Sequence, residues 1–540
     1  MEITFLTNKD KSIFDQQISD LTNKVNTMGP GGITTFVTPE MYGAVGDGVH
    51  DDAPALKAAL ESGKDVILTQ DLWLLSDIFI KDHNVNFDGK HYILHCVCAG
   101  ISISASTWQD GRVGECSKVS NNVQSEFEAA RAPYHRGYLT YNGRKTLQEE
   151  YEDYSVTYFD IYRAEIRNVT MLCEKMDNGE GKGKWALALY YMCDSVIEQV
   201  NTILIDDGDG AEGICCIYCQ NVRIESCHSA GWTIQKNSAT DGRGYGFQVV
   251  GDNICISRCS SEQSKHCITV GSSHDVWSSN ITIEHCNLRC DFTKILHEET
   301  RSGKYRQLLD VHGDAVNVVI TGCNFYWWAL DGNTQSSPII ALRAPSPVLS
   351  NCSVHSNGGW INFGEFAQSI HIDQLYAPRV HLTTDFSLNG DSDKTHFIPE
   401  LFIVNSEFAR LRDSFSPTRV HLTGCIIREF VIDVQYLIAR DCIFSRESPW
   451  ASQPTMVLNG ESILSNCIIY GHREDYISKR TPIIKAPKNS VHMSNCKIYK
   501  RQGDYPTFDT EQDEGIGNWY EDVFAFYLNT QDYLNTNILQ

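Results

Sequence analysis

NVRIESC, residues 221–227, is one copy of a phrase that recurs through the second half of the chain. Its pattern is an apolar residue, any residue, an apolar residue, two more residues, then a small residue of the kind that cores bury. NICISRC at 253–259, NITIEHC at 280–286, NVVITGC at 317–323 and SPVLSNC at 346–352 repeat it. RVHLTGC at 419–425, LIARDC at 437–442, ESILSNC at 461–467 and SVHMSNC at 490–496 follow. Two copies keep the pattern without cysteine, SIHIDQL ending at Leu375 and LFIVNSEF passing through Ser406. An earlier copy, SVIEQV, ends at Val200. From Cys227 to Cys496 there are ten steps in 269 residues, uneven from 17 to 37. Within each phrase the period is two, the side-chain period of a strand. A helical solenoid would show longer segments with a 3.6-residue period. A constant short strand with unequal excursions between copies describes a coil of parallel strands whose corners absorb the differences. The reading is an all-β chain folded as a parallel β-helix, a solenoid.

In such a coil, equivalent residues of neighbouring turns stack about 4.8 Å apart. The repeated cysteines are therefore expected as an inward ladder of buried thiols that serve as small hydrophobes, rather than as disulfides. Cys215, Cys216 and Cys219 form a CCxxC, but it lies in a strand-like segment without a second pair. No metal site and no cofactor is expected from it.

Composition bounds the partners. The chain has 68 acidic and 45 basic residues, for a net charge of −23. That balance speaks against nucleic acid and against an anionic membrane surface. It leaves room for a polysaccharide, because local residues set the sign of a groove. Residues 1–28 hold no apolar core of signal-peptide length, and no segment is long and apolar enough to span a bilayer.

The organisation outside the repeat is also legible. Phe14, Ile18, Leu21, Val25 and Met28 alternate spacings of four and three, a heptad seam. A helix this short needs support, from its own domain or from neighbouring chains in a trimeric stalk. Gly29-Pro30-Gly31-Gly32 breaks it, making 29–38 a linker. The coil is expected over 39–500, with a polar, Tyr- and Glu-rich insertion at about 104–157. Residues 501–540 leave the repeat and read as a C-terminal cap or subunit contact.

Residues 42–52 read YGAVGDGVHDD, and ALKAAL follows at 55–60. This segment resembles the N-terminal signature of the pectate lyase superfamily of β-helix proteins, which bacteriophage tailspike and tail-fibre proteins commonly carry. The resemblance is sharp only here and continues as repeat character over most of the chain. It implies a right-handed parallel β-helix. The residues agree with it: Asp51 or Asp52 can cap a helix starting near Ala53, with Pro54 in its first turn. That helix would close the open end of the coil, which otherwise exposes strand edges. Turn formation and capping account for Asp47, Asp51 and Asp52 without a cation.

Each coil has a second strand upstream of the phrase, as in YGFQVV, HCITVG, LLDVHG, PIIALR and WINFGE. Alternation points Leu309 and Val311 inward and Asp310 and His312 outward. The same rule sends out Gln248, Thr269, Arg343, Trp360 and Asn362. A polar and aromatic row on a rigid sheet suits a sugar polymer, so Tyr245, Gln248, Trp327, Arg343, Trp360 and Asn362 are the expected substrate-binding residues. Corners add Glu262, Lys265 and His266, and Trp328 stands beside Trp327. The expected catalytic set is Asp310, His312, Glu262, His266, Asp209 and Glu212. The last two belong to the acidic turn IDDGDGAEG with Asp206 and Asp207. Two reactions are open. Hydrolysis needs two facing carboxyl groups, for which Glu262 with Asp310 is one pair and the acidic turn supplies the rival. Elimination needs a base, His312 or His266, beside a uronate carboxylate neutralised by Arg343. The NTD triplet and GHG of polygalacturonase-type hydrolases are missing, and so are calcium-dependent pectate lyase motifs. Pectin is therefore not the expected substrate.

The expected function is tailspike-like. The protein binds and depolymerises a host cell-surface polysaccharide, as a homotrimer in a virion tail, made in the host cytoplasm and released without a signal peptide. Other phage tail or baseplate proteins are further expected partners. The alternative is a non-catalytic tail fibre or baseplate protein that only binds the glycan or builds the virion.

Overall fold

A computed structural model describes residues 36–105, 162–176, 184–190, 192–205, 212–232, 244–271, 278–291, 307–312, 315–328, 338–344, 346–364, 369–385, 400–413, 419–428, 432–434, 436–445, 456–458, 460–470, 484–486, 490–501, 519–521 and 524–528. The heptad at 14–28 lies outside these residues, and so does the insertion expected at about 104–157 apart from residues 104 and 105, where Ser104 ends a strand of the coil.

The described residues form 41 strands, and every pairing among them is parallel. The chain winds as a coil with three strands per turn, so three flat faces run along its axis. One turn shows the plan. Gln307–Val311 lies on face A, Ala315–Thr321 on face B and Asn324–Trp328 on face C. Their successors in the next turn are Ile340–Leu342, Val348–Ser350 and Ser353–Ser356. The repeated phrase is the face B strand and the corner that follows it.

Period-two alternation builds the core. On face B, Ile281 stacks on Val318 and Ile283 on Ile320, all fully buried. Such aliphatic ladders run the length of the coil. β-branched side chains fit them because their stiff χ1 angles match a pleated, buried surface.

The corner between faces B and C explains the cysteines. The residue before each one takes a left-handed conformation, for example Ser226, Arg258, His285, Asn351, Asn466 and Asn495, with φ between 49 and 54°. At that turn the thiol lies against two main-chain carbonyls, and the one two residues before it also accepts a backbone amide, as Ser257 O does from Ser226 N at 3.0 Å. Cys259 Sγ donates to Ser257 O at 3.4 Å and to Ile224 O of the preceding turn at 3.5 Å. Cys286, Cys323 and Cys496 repeat this pair of bonds. Ser406 takes the same place with its hydroxyl, donating to Val404 O at 2.7 Å. All nineteen cysteines among the described residues are free thiols. The ladder is thus both apolar filling and a row of weak donors. A second left-handed corner carries Asn253, Asn280 and Asn317, whose amides link turn to turn. Asn253 Nδ2 donates to Asn221 Oδ1 at 2.8 Å and Asn317 Nδ2 to Asn280 Oδ1 at 3.2 Å. Asparagine tolerates this backbone region better than most residues.

The N-terminal end is closed by the helix Ala53–Leu60, which buries Ala53, Ala55, Leu56, Ala59 and Leu60. Asp52 occupies the N-cap position but does not cap. Its carboxylate instead accepts amides from Val45 at 2.7 Å, Gly46 at 3.2 Å and Trp73 at 3.0 Å. Asp51 accepts Ala53 N at 3.1 Å, Leu75 N at 2.9 Å and Ser76 Oγ at 2.5 Å. The signature carboxylates are therefore staples between the glycine turn and the first coil. Gly46 has a φ of +66°, and a Cβ there would meet Asp71 O at 2.7 Å. At the other end, Trp519–Glu521 and Phe524–Leu528 pair with Val491–Ser494 and Lys497–Arg501. The coil therefore reaches Leu528, beyond the expected end near residue 500. Among the described residues no helix is long and apolar enough to cross a membrane.

Candidate functional site on face A

The outward row of face A can be read from the register. Cys215, Gln248, Thr269, Asp310, Ala341, Asn362 and Thr383 are successive neighbours, one per turn. The phase predicted for LLDVHG holds, since Leu309 and Val311 are fully buried in the core. What alternation could not supply is the burial of the outward side. Asp310 is only 4% exposed, and Thr269 is also buried. Cys215 joins Ala188, Tyr190, Ile217 and Val250 in a second small apolar cluster outside the main core. Gln248, Trp360 and Asn362 are half-buried. Upstream face A is therefore not the open polar sheet that the sequence suggested.

Asp310 organises the middle of this face. Arg343 Nη2 donates to its Oδ1 at 2.6 Å, and His312 Nε2 lies 3.3 Å from its Oδ2. Burial by itself pushes the carboxyl up. The Arg343 guanidinium and the His312 imidazole outweigh that and hold it well below the usual carboxylate range. Asp310 is thus an ionised anchor whose charge the Arg343 guanidinium balances, with the His312 ring held beside it.

His266 begins the neighbouring turn's strand and is 7% exposed. It stands in register with Tyr245 on one side and Gln307 on the other. The Tyr245 and His266 ring centroids are 5.1 Å apart, and Lys265 Nζ lies 6.0 Å from the Tyr245 ring. Burial pushes the His266 imidazole down to about 3, against the pull of the nearby Asp310 charge. It is neutral at ordinary pH. Its Nδ1 is buried and has no hydrogen-bond partner among the described residues, and the same holds for Thr269 Oγ1.

The other nominated residues separate from this group. Glu212 is buried on face A in register with Trp185 and Tyr245, two turns before His266. Asp310 is on the turn after His266, and three strand spacings are about 14 Å, so Glu212 is not a contact partner of Asp310. Asp206, Asp207 and Asp209 lie outside the described residues. Glu262 is on face C, in register with Ala230 and Arg289. It follows the Cys259 corner by three residues, and that corner turns it away from the face that carries Asp310. The proposed Glu262–Asp310 pair is not formed. Trp327 is 1% exposed and belongs to the core, whereas Trp328 is exposed. Its strand runs on through Trp328, so period two sends Phe325 and Trp327 inward together. Among the described residues no group of three or more His, Cys, Asp or Glu side chains could hold a metal ion.

No protein-family model matches the chain, and no curated protein matches it in sequence. Solved structures with a similar course of the chain include three phage proteins. The tailspike protein of Pseudomonas phage LKA1 is 12% identical with a TM-score of 0.38, the match covering 92% of this chain and 83% of that one. The tailspike of Acinetobacter baumannii bacteriophage AP22, solved with a capsular saccharide, is 12% identical with a TM-score of 0.43, covering 89% and 78%. The tailspike of E. coli bacteriophage HK620, solved with a pentasaccharide, is 10% identical with a TM-score of 0.37, covering 94% and 81%.

Proposed function

We propose that this chain is a tailspike-type protein of a virion tail that binds a host surface polysaccharide along face A and cleaves it by elimination. The observation that carries the reading is the Asp310–Arg343–His312 unit beside a neutral, buried His266. Two-carboxylate hydrolysis needs a carboxyl group that is free to give or take a proton. Asp310 is buried and ion-paired, and no second carboxylate among the described residues pairs with it. Elimination asks instead for a cation and a base. Arg343 would neutralise the carboxylate of a uronic acid, which acidifies the proton on the adjacent carbon. His312, oriented by Asp310, would take that proton. The electron pair forms the ring double bond, the glycosidic carbon–oxygen bond breaks, and the leaving oxygen picks up a proton. His266, too weak a base at its depressed pKa, would donate or accept a hydrogen bond to the bound sugar. The heptad near the start of the chain fits assembly as a homotrimer, which native mass measurement tests.

The test is incubation with a panel of purified bacterial capsules. New ultraviolet absorbance from unsaturated uronate, abolished in Arg343→Ala, is the expected result. Reducing ends released without that absorbance would reject elimination. A non-catalytic receptor-binding role is the second reading, favoured by how little of Asp310 reaches solvent. Binding without any product would support it.

A further inference from the structure

Face C carries a groove of about 400 Å³ lined by His228, Ser260, Glu262, Asn287, Arg289 and Tyr326, of which the sequence reading had nominated only Glu262, for another site. Four consecutive turns contribute to it, through the strands His228–Ala230, Ser260–Glu262, Asn287–Asp291 and Asn324–Trp328. The volume is within the range of small-ligand sites.

The two opposite charges in this groove do not pair with each other. Some opposite charges that are register neighbours on adjacent turns close into ion pairs, while others, such as Asp88 and Arg167, take different partners. Arg167 is 3.1 Å from Glu198, and Arg419 is 3.0 Å from Glu400. Glu262 and Arg289 are also register neighbours, yet they do not come within ion-pair distance of each other. Among the described residues each has only a loose ion-pair contact at 3.9 Å, Glu262 with His228 and Arg289 with Asp291. Their side chains are 44% and 49% exposed. A carboxylate and a guanidinium thus both line one groove without pairing with each other, and among the described residues no closer partner engages either of them.

The remaining groups are fixed. The His228 ring is held by its Nδ1 contact to Ser260 Oγ at 2.8 Å. The Tyr326 ring stacks flat on His355 of the next turn, with centroids 4.9 Å apart and 12° between planes. That stack holds one side of the tyrosine ring and turns the other toward the Arg289 turn and the groove. A free anion would be repelled by Glu262 and a free cation by Arg289. A neutral, hydroxyl-rich ring satisfies both, since its hydroxyls donate to the carboxylate and accept from the guanidinium. Its apolar C–H face can lie on the aromatic ring.

We infer that this groove is a second saccharide-binding subsite, on a different face from the Asp310 unit, that holds a sugar ring between Glu262 and Arg289 against Tyr326. The inference rests on the polysaccharide reading above. A neighbouring segment of the same polymer could then be gripped around the corner from face A.

The probe is an array of purified bacterial capsular and O-chain polysaccharides, followed by titration of the strongest binder in solution. Glu262→Gln, Arg289→Gln and Tyr326→Ala are each expected to weaken binding about tenfold, as loss of one charge-assisted or stacking contact does. Tyr326→Phe should retain wild-type affinity. Thermal melting near that of wild type shows that each variant is folded, and the exposed Glu262 and Arg289 substitutions leave the core untouched. Binding that persists within twofold in all three weakening variants, but is lost in Arg343→Ala, would overturn this subsite and leave the face A reading standing. A wild-type protein that binds no glycan would overturn both.

Discussion

Arg343 reaches back across one turn of the coil to place Nη2 2.6 Å from Oδ1 of the buried Asp310. The two residues are separated by 33 positions in sequence, and only the stacking of the strands Gln307–Val311 and Ile340–Leu342 joins them.

Removing the anion should therefore cost stability as well as function. Asp310→Asn leaves Arg343 without its buried counter-charge. Because Arg343 itself is partly solvated, the expected loss is about 2 kcal/mol, below that of a fully buried pair. Denaturant unfolding of the variant measures it. Combining Asp310→Asn with Arg343→Leu should recover part of the loss, and a strictly additive double variant would mean the pair is not coupled.

His266 predicts a pH dependence whose sign is fixed. Its folded pKa is about 3, against about 6.5 for an unfolded histidine. Between those values the unfolded chain binds more protons, so His266 makes stability fall as pH drops from about 6.5 toward 3. Asp310 acts at a lower pH. Its folded pKa is depressed, so its contribution is full above about pH 4, the unfolded value, and fades as pH falls further. Melting temperatures of wild type and His266→Gln should therefore diverge below pH 6, with the variant the less acid-sensitive. Parallel curves would contradict a neutral buried imidazole.

The thiol ladder should be hidden and tolerant of serine. A thiol reagent is expected to find few reactive groups in the native protein and all twenty cysteines after denaturation under non-reducing conditions. Cys286→Ser keeps a donor for Ile256 O and Glu284 O, as Ser406 does naturally. It should cost about 0.5 kcal/mol or less, whereas Cys286→Ala, which removes the weak donor while Glu284 O still accepts Arg258 N at 2.9 Å, should cost about 0.5–1.5 kcal/mol.

Asp52→Ala tests the N-terminal staple. Three amides, from Val45, Gly46 and Trp73, lose their acceptor. A loss of about 2–3 kcal/mol is expected, with early proteolysis near residue 45. A variant that melts like wild type would show that the loop is held by other contacts.

The division between what sequence and structure contributed follows from the range of the forces. The coil was legible because its information is local. Each phrase carries its own period-two pattern and its own small corner residue, so Ile281, Ile283 and Cys286 announce their inward direction without knowledge of any neighbour. The same locality placed Leu309 and Val311 inside and marked the helix Ala53–Leu60. It failed where one turn meets another. Whether an outward residue is exposed depends on what lies against it, which is why Asp310 and Thr269 are buried despite correct phase. Which face a residue joins depends on where the corner falls, so Glu262 parted from Asp310 and met Arg289 and Tyr326 instead. The ladder's geometry was also hidden, because the left-handed turn before each cysteine is taken by Ser, Arg, His, Gly and Asn alike. The sequence by itself determined a coil of parallel strands with an apolar, thiol-lined interior, since strand periodicity is written residue by residue. Only the tertiary structure decided which polar groups share a face, because register between turns tens of residues apart is set by packing and not by spacing along the chain.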